Sequence, residues 1–142
     1  MKIKVFYHSS TGNTKKVAEA IAAAVNASPE AMTEGCKISE PIDLLFIGDG
    51  IYAGKMSKKT KAFIDQLDGS LVKNAAVFGT YGGQDKVIAA IKERLTEKGI
   101  PVCARSFLCK GQAWLVGNRN HPNQADLEEA ARFARTVIDA MS

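Results

Sequence analysis

The feature that most constrains the fold is a repeated alternation along the chain between short apolar runs and segments with helical periodicity. The apolar runs at residues 3–7, 43–48, 74–79 and 102–108 each predict a β-strand. Residues 43–48 are almost unbroken in apolar side chains, as expected of a strand that is covered on both faces. Because strands that alternate with helices form parallel sheets with short crossovers, the sequence predicts one α/β domain over residues 1–142, with helices on both faces.

Helical segments separate these runs, with one exception. The first helix is predicted from Thr14 to a point within residues 26–29, where its apolar spacing ends. A fifth, weak strand is predicted within residues 31–38, and a turn at residues 40–41 takes the place of a helix between the second and third strands. Side chains suited to capping begin the other three predicted helices: Ser57, Asp85 and Asn123.

Composition and charge exclude several classes of protein. No apolar stretch reaches the ~20 residues needed to cross a bilayer, and no signal peptide follows Met1, so we expect a cytoplasmic protein without a membrane span. The three cysteines lack CxxC spacing and two histidines cannot form a metal cluster by themselves, so neither a disulfide framework nor a metal site is predicted. Positive charge is concentrated in residues 50–112, which carry eleven basic and five acidic side chains. This charge is densest at Lys55, Lys58, Lys59 and Lys61, and aromatic residues are not interleaved with that run, so nucleic-acid binding is not predicted.

The turn after the first strand carries the strongest chemical signal. In an open parallel sheet, ligands bind beyond the carboxyl ends of the strands. Residues 9–14, Ser-Ser-Thr-Gly-Asn-Thr, provide hydroxyl groups, a glycine for close backbone approach, and the N–H groups of a helix N-terminus. The turn lacks the lysine of GxxxxGK[ST] and does not match GxGxxG. It therefore predicts a phosphate site that is neither a nucleoside-triphosphate loop nor a dinucleotide motif.

Three segments together resemble the flavodoxin family. Thr-Gly-Asn-Thr at residues 11–14, preceded by a hydroxyl residue and followed by an amphipathic helix, is similar to the phosphate loop of that family. Residues 44–54 stand where the family has one loop against the isoalloxazine ring, and residues 76–83 are similar to its second flavin loop. The resemblance covers essentially the whole chain. It implies a flavodoxin-like, doubly wound, five-stranded parallel sheet of order 2-1-3-4-5 that binds flavin mononucleotide (FMN).

The resemblance also implies which residues contact FMN. Residues 9–14 would hold the phosphate, while Tyr52 and Tyr81 would cover the ring and neighbouring glycines, Gly48 among them, would let backbone amides approach it. No nucleophile–base pair stands out, so no catalytic residue is predicted, and we interpret His8 as a local packing or hydrogen-bonding group. The predicted cofactor-binding residues are Ser9, Ser10, Thr11, Gly12, Asn13, Thr14, Gly50, Ile51, Tyr52, Ala53, Gly54, Thr80, Tyr81, Gly82 and Gly83.

The chain departs from the family in its charge. Family members that carry electrons are usually acidic around the flavin, whereas Lys55, Lys58, Lys59 and Lys61 stand beside the predicted ring loop here. These lysines predict a steering surface for an acidic partner or an anionic ligand, and a solvated helix start is an equally simple interpretation. The tryptophan often found in the second flavin loop is absent. Trp114 follows the last strand instead, where it would cover the flavin or a partner, or pack against the last helix.

Several functions remain open at this point. The leading one is an FMN-binding electron-transfer protein that passes electrons to or from a partner redox enzyme, similar to small flavodoxin-like proteins that accompany larger reductases. The alternative is an FMN-dependent oxidoreductase, such as a quinone reductase or a protoporphyrinogen-oxidase-like enzyme. The small size and the lack of a substrate-binding insertion favour the carrier. A flavin-less interaction module on the same fold is a third possibility.

Overall fold

Strands and helices alternate along the part of the chain that the structure, a computed structural model, describes, which is residues 1–9, 12–33, 35–51, 56–81, 86–110 and 122–141. In chain order these elements are β1 (Ile3–Tyr7), α1 (Asn13–Ala24), β2 (Pro29–Ala31), β3 (Leu44–Ile51), α2 (Lys58–Asp65), β4 (Ala75–Tyr81), α3 (Lys86–Glu97), β5 (Val102–Lys110) and α4 (Gln124–Met141).

The strands form one sheet of order β2-β1-β3-β4-β5, and all neighbouring strands are parallel. The predicted order and the helices on both faces are thereby confirmed. As predicted, the described residues between β2 and β3 contain no helix. Because β1 lies between β2 and β3, the direction of winding reverses beside β1. The carboxyl ends of β1 and β3 therefore lie next to each other at the switch point, where sheets of this type bind ligands.

Alternate residues of the central strands face two separate helix layers. Leu45 and Ile47 of β3 belong to the core cluster that includes residues of α2 and α3. Leu44 and Phe46 belong to the cluster that includes residues of α1 and α4. All four are fully buried, because β3 is covered on both faces, as the apolar run predicted.

Gly48 is required for packing of the core, a role that is separate from its predicted approach to the flavin ring. The glycine is buried in β3, and a Cβ atom built there would overlap with the ring of Phe78 on β4. Phe78 is itself fully buried. The absence of a side chain at position 48 therefore lets an aromatic ring fill the space above the middle of the sheet.

Several element boundaries differ from those predicted. The prediction of a second strand within residues 31–38 was wrong. The strand is at Pro29–Ala31, where Val5 pairs with Pro29 and the N–H of Met32 donates to the carbonyl of Tyr7. A proline is tolerated there because β2 is an edge strand. The first helix ends at Ala24, slightly before the predicted range.

Strands β3, β4 and β5 extend further than predicted, to residues 51, 81 and 110, because the hydrogen-bonded ladder continues into the predicted loops.

Two of the three predicted N-caps lie in the described residues, and both are confirmed. The side chain of Ser57 accepts from the N–H of Lys59 at 3.1 Å. Asn123 and Asp126 cap α4 reciprocally, with each side chain accepting from the backbone N–H of the other at 2.9 and 2.8 Å. Asp85 lies outside the described residues. None of the helices seen in the described ranges is both long and apolar enough to cross a membrane.

Candidate functional site

The register of the strands places the described residues of the predicted site near the carboxyl ends of β1, β3 and β4. Tyr7, the last residue of β1, pairs with Gly48, and the N–H of His8 donates to the carbonyl of Gly48 at 3.0 Å. On the other side of β3, Gly50 pairs with Thr80. The turn after β1 and the carboxyl ends of β3 and β4 are therefore adjacent, although they come from segments some 40 and 70 residues apart in the sequence.

The turn after β1 leads into a helix whose N-terminus suits an anion. Gly12 occupies the N-cap position of α1 in the left-handed conformation, with φ of 90°. Its N–H donates to the hydroxyl of Ser9 at 2.9 Å, which closes the turn. Glycine has no side chain with which to cap the helix, and the first turn of α1 contains Lys15 and Lys16 but no acidic residue. The positive end of the helix dipole is therefore not offset by a carboxylate from that turn.

Two buried threonines join this helix to β4. The hydroxyl oxygens of Thr14 and Thr80 are 2.7 Å apart, and each residue is about 1% exposed. Asn13 beside them is also buried. This hydrogen bond between two buried hydroxyls fixes the first turn of α1 against the end of β4.

A fully buried carboxylate, Asp49, collects four hydrogen bonds at the end of β3. Its Oδ1 accepts from the N–H of Gly50 at 2.8 Å and lies 3.1 Å from Nδ1 of His8. Its Oδ2 accepts from the N–H of Ser57 at 2.7 Å and from the hydroxyl of Thr60 at 2.9 Å. The side chain is 0% exposed and that of His8 is 23% exposed. Because a carboxylate only accepts, Nδ1 of His8 is the donor in its contact.

Sequence reasoning missed Asp49, because the predicted third strand stopped at Gly48. Strand periodicity could have found it, since Asp49 continues the alternate series of Leu45 and Ile47 that faces α2 and α3. A charged residue on the buried face of a strand calls for donors in the protein. The interpretation of His8 as a hydrogen-bonding group agrees with its contact to Asp49.

Basic side chains surround the start of α2. Lys58, Lys59 and Lys61 are exposed, and Lys58 and Lys59 also border a groove that contains Thr33 and Phe63. At the other end of the helix, Asp65 is bonded to Arg94 of α3 through both carboxylate oxygens, at 3.0 and 2.7 Å. This hydrogen bond, with the positive charge of Arg94, keeps the pKa of Asp65 below its usual value.

Other predicted features lie outside the described residues. These are Ser10, Thr11, Tyr52, Ala53, Gly54, Lys55, Gly82, Gly83 and Trp114, together with the side chains of Ile51 and Tyr81. Within the described ranges, no three His, Cys, Asp or Glu side chains come together as a metal site would require.

Comparison with known proteins finds sequence relatives of this chain. A family model described as the flavodoxin domain matches residues 4–113, which is more than half of the chain. An uncharacterised protein of Methanocaldococcus jannaschii is 32% identical, and the match covers 97% of this chain and 99% of that protein. A flavodoxin-like domain-containing protein of Clostridioides difficile, BilS, is 30% identical, with 97% of each chain covered.

Solved structures share the fold. A flavodoxin from the domain Archaea matches with a TM-score of 0.78 and 24% identity, covering 99% of this chain and 98% of that one. Rubredoxin oxygen:oxidoreductase from the anaerobe Desulfovibrio gigas matches with a TM-score of 0.77 and 20% identity. That match covers 98% of this chain but only 35% of the oxidoreductase, so the fold occurs both as a separate chain and as part of a larger redox protein.

Proposed function

The chain belongs to the flavodoxin family, and on that premise we propose that it binds FMN and passes electrons to or from a partner redox enzyme. The observation that carries the proposal is the turn after β1. There Gly12 opens α1 in a left-handed conformation, with no acidic residue in the first turn of the helix. That arrangement is suited to a phosphate monoester, which is the charged end of FMN.

The turn would hold the phosphate by backbone and hydroxyl donors. At a helix N-terminus the first N–H groups point out of the helix. Ser9 and Thr14 supply hydroxyl groups at either end of the turn. The bond between Thr14 and Thr80 fixes the helix start against β4. These residues bind and orient, and none of them is in the position of a nucleophile or a base.

The ends of β3 and β4 would hold the flavin ring. Gly50 and Thr80 are paired there. Of the predicted ring contacts, Tyr52 follows Gly50 by two residues and Tyr81 follows Thr80 by one. When bound, FMN supplies the redox chemistry, since it accepts and gives one or two electrons. The protein contributes position, exclusion of water and the local electrostatic potential.

The basic start of α2 would set the choice of partner. Lys58, Lys59 and Lys61 are exposed beside the segment that follows β3. A surface of one sign steers a partner of the opposite sign and speeds association at low ionic strength. We therefore infer that the partner is acidic at its docking face. Positive charge near the ring would also stabilise reduced, anionic flavin and raise the potential.

The phosphate assignment is tested by placing a negative charge in the turn. We expect Thr11→Glu to weaken FMN binding at least about a hundredfold, because a carboxylate would stand against the phosphate dianion in a partly desolvated site. Fluorescence titration of FMN measures the dissociation constant. The matched control is Thr96→Glu, an exposed position near the end of α3 that carries the same substitution away from the turn.

The control should bind FMN as the unsubstituted protein does. Equal affinity of the two variants would refute the phosphate assignment. Loss of binding in both variants would show that the effect is not specific to the turn, which would also count against it.

A further inference from the structure

Asp49 accepts hydrogen bonds from both ends of the segment that leads from β3 to α2. The N–H of Gly50 reaches Oδ1 and the N–H of Ser57 reaches Oδ2, so the chain leaves the carboxylate and returns to it seven residues later. Thr60, in the first turn of α2, adds a hydroxyl donor to Oδ2. One side chain therefore fixes where the segment of residues 51–56 begins and where it ends.

His8 connects the same carboxylate to the turn after β1. Its Nδ1 lies 3.1 Å from Oδ1 of Asp49, and its backbone N–H donates to Gly48 on the same strand. The next residue, Ser9, closes the turn by accepting from Gly12. A continuous set of bonds therefore joins the turn after β1 to the segment after β3.

We propose that Asp49 is a positioning residue that clamps the β3–α2 segment at Gly50 and Ser57 and, through His8, holds that segment at a fixed spacing from the turn after β1. This inference rests on the proposed function, in which the segment covers the flavin ring and the turn holds the phosphate. The hydrogen bonds of Asp49 to Gly50 and Ser57 then contribute to the affinity for the flavin ring. The contact between His8 and Asp49 contributes to the affinity for a ligand that carries both the ring and the phosphate.

The donors around Asp49 make this proposal specific to a carboxylate. Gly50 and Ser57 both present backbone N–H groups, and neither can become an acceptor. An asparagine at this position has one acceptor oxygen and one NH2 group. Whichever way its amide is turned, one of the two backbone N–H groups faces the NH2 group and loses its bond. Asp49→Asn therefore keeps the shape of the side chain but can hold only one end of the segment.

The first measurement needs no flavin. Hydrogen exchange of the Gly50 and Ser57 amides, followed residue by residue, should be at least about tenfold faster at one or both sites in Asp49→Asn, because a buried bond is lost. The matched control is Asp43→Asn, which removes a carboxylate that precedes the first residue of β3 and accepts from the N–H of Lys2. The control should leave both amides protected.

The second measurement compares FMN with riboflavin, which has the ring but no phosphate. We expect Asp49→Asn to weaken both ligands by about tenfold relative to Asp43→Asn, since the ring segment is released at one end. His8→Phe should weaken FMN about fivefold and riboflavin less than about twofold, because it leaves the segment clamped and loosens only the link to the turn.

A gentler pair of variants keeps the test valid if Asp49→Asn does not fold. Thr60→Val removes one donor to Oδ2 with little change in volume, and Thr60→Ser retains the hydroxyl. We expect Thr60→Val to weaken both flavins about threefold and Thr60→Ser to bind them as the unsubstituted protein does. Rescue by serine would attribute the loss to the bond to Asp49.

The outcomes separate this inference from the proposed function. If the unsubstituted protein binds neither flavin, the proposed function fails, and the exchange of the Gly50 and Ser57 amides still decides whether Asp49 is a clamp. If the protein binds FMN but Asp49→Asn matches Asp43→Asn in amide exchange and in both affinities, the clamp is overturned and the proposed function stands. A His8→Phe variant that weakens both ligands equally would overturn the link to the turn.

Discussion

At the scale of single residues, two glycines are needed for different reasons. Gly12 has φ of 90°, a conformation that side chains rarely adopt, and it starts α1 at the point where the phosphate would bind. Gly48 has an ordinary extended conformation, and what it provides is space, since a Cβ atom there would overlap with Phe78. One glycine therefore shapes the site, and the other allows the sheet beneath it to pack.

The packing role of Gly48 gives a prediction about stability. We expect Gly48→Ala to lower the free energy of unfolding by about 1–3 kcal/mol, because Phe78 is fully buried and must move to accept the extra methyl group. Urea unfolding followed by circular dichroism measures the change.

Phe78→Leu provides the control for this prediction. In the Gly48→Ala/Phe78→Leu double variant, the smaller side chain gives the methyl group room, so the combined loss should be smaller than the sum of the two single losses. Additive losses would mean that the two residues do not compete for the same space.

At the scale of elements, α2 is held at both ends and carries its positive charge between them. Ser57 caps its N-terminus and is itself bonded to Asp49, while Asp65 near the C-terminus pairs with Arg94 of α3. A helix that is fixed in this way presents Lys58 and Lys59 in a defined place beside the segment after β3.

The charge on α2 can be tested with small oxidants in place of the unidentified partner. At low ionic strength we expect Lys58→Glu/Lys59→Glu to slow the oxidation of the FMN-loaded, reduced protein by ferricyanide about tenfold, and to speed its oxidation by hexaamminecobalt(III). Stopped-flow absorbance of the flavin measures both rates. The substitutions place acidic residues in the first turn of a helix, where they are not expected to destabilise it.

Lys4→Glu/Lys73→Glu is the matched control, with the same change in charge near the amino ends of β1 and β4. It should leave both rates within about twofold of the original values at the same ionic strength. Similar effects of the two double variants would mean that only net charge matters and that α2 is not a docking surface.

At the scale of the whole molecule, the sequence was sufficient for the order of elements but not for the contacts that join them. The apolar runs predicted β1, β3, β4 and β5, and the pattern is clearest in β3, which is buried on both faces. The edge strand β2 was misplaced, because a three-residue strand containing Pro29 leaves no such pattern and is defined only by its pairing with β1.

In the candidate site too, the local sequence pattern could be predicted but the contacts between elements could not. The turn after β1 could be predicted because its residues are consecutive, whereas the bonds from Asp49 to His8 and from Thr14 to Thr80 join residues 41 and 66 positions apart. Such contacts depend on the register of neighbouring strands, which local propensity does not determine. The spacing of Asp49 in β3 indicates a buried carboxylate, whereas the donors from His8, Ser57 and Thr60 depend on how the turn after β1 and α2 pack against that strand.

We propose that this protein is an FMN-dependent electron carrier, and anaerobic redox titration of the FMN-loaded protein tests that proposal most directly. We predict that the protein binds about one FMN per chain. We further predict that the bound flavin is reduced and reoxidised reversibly and that the reduced protein does not turn over quinone without a partner protein. A chain that binds no FMN, or one that reduces quinone catalytically by itself, would contradict the claim.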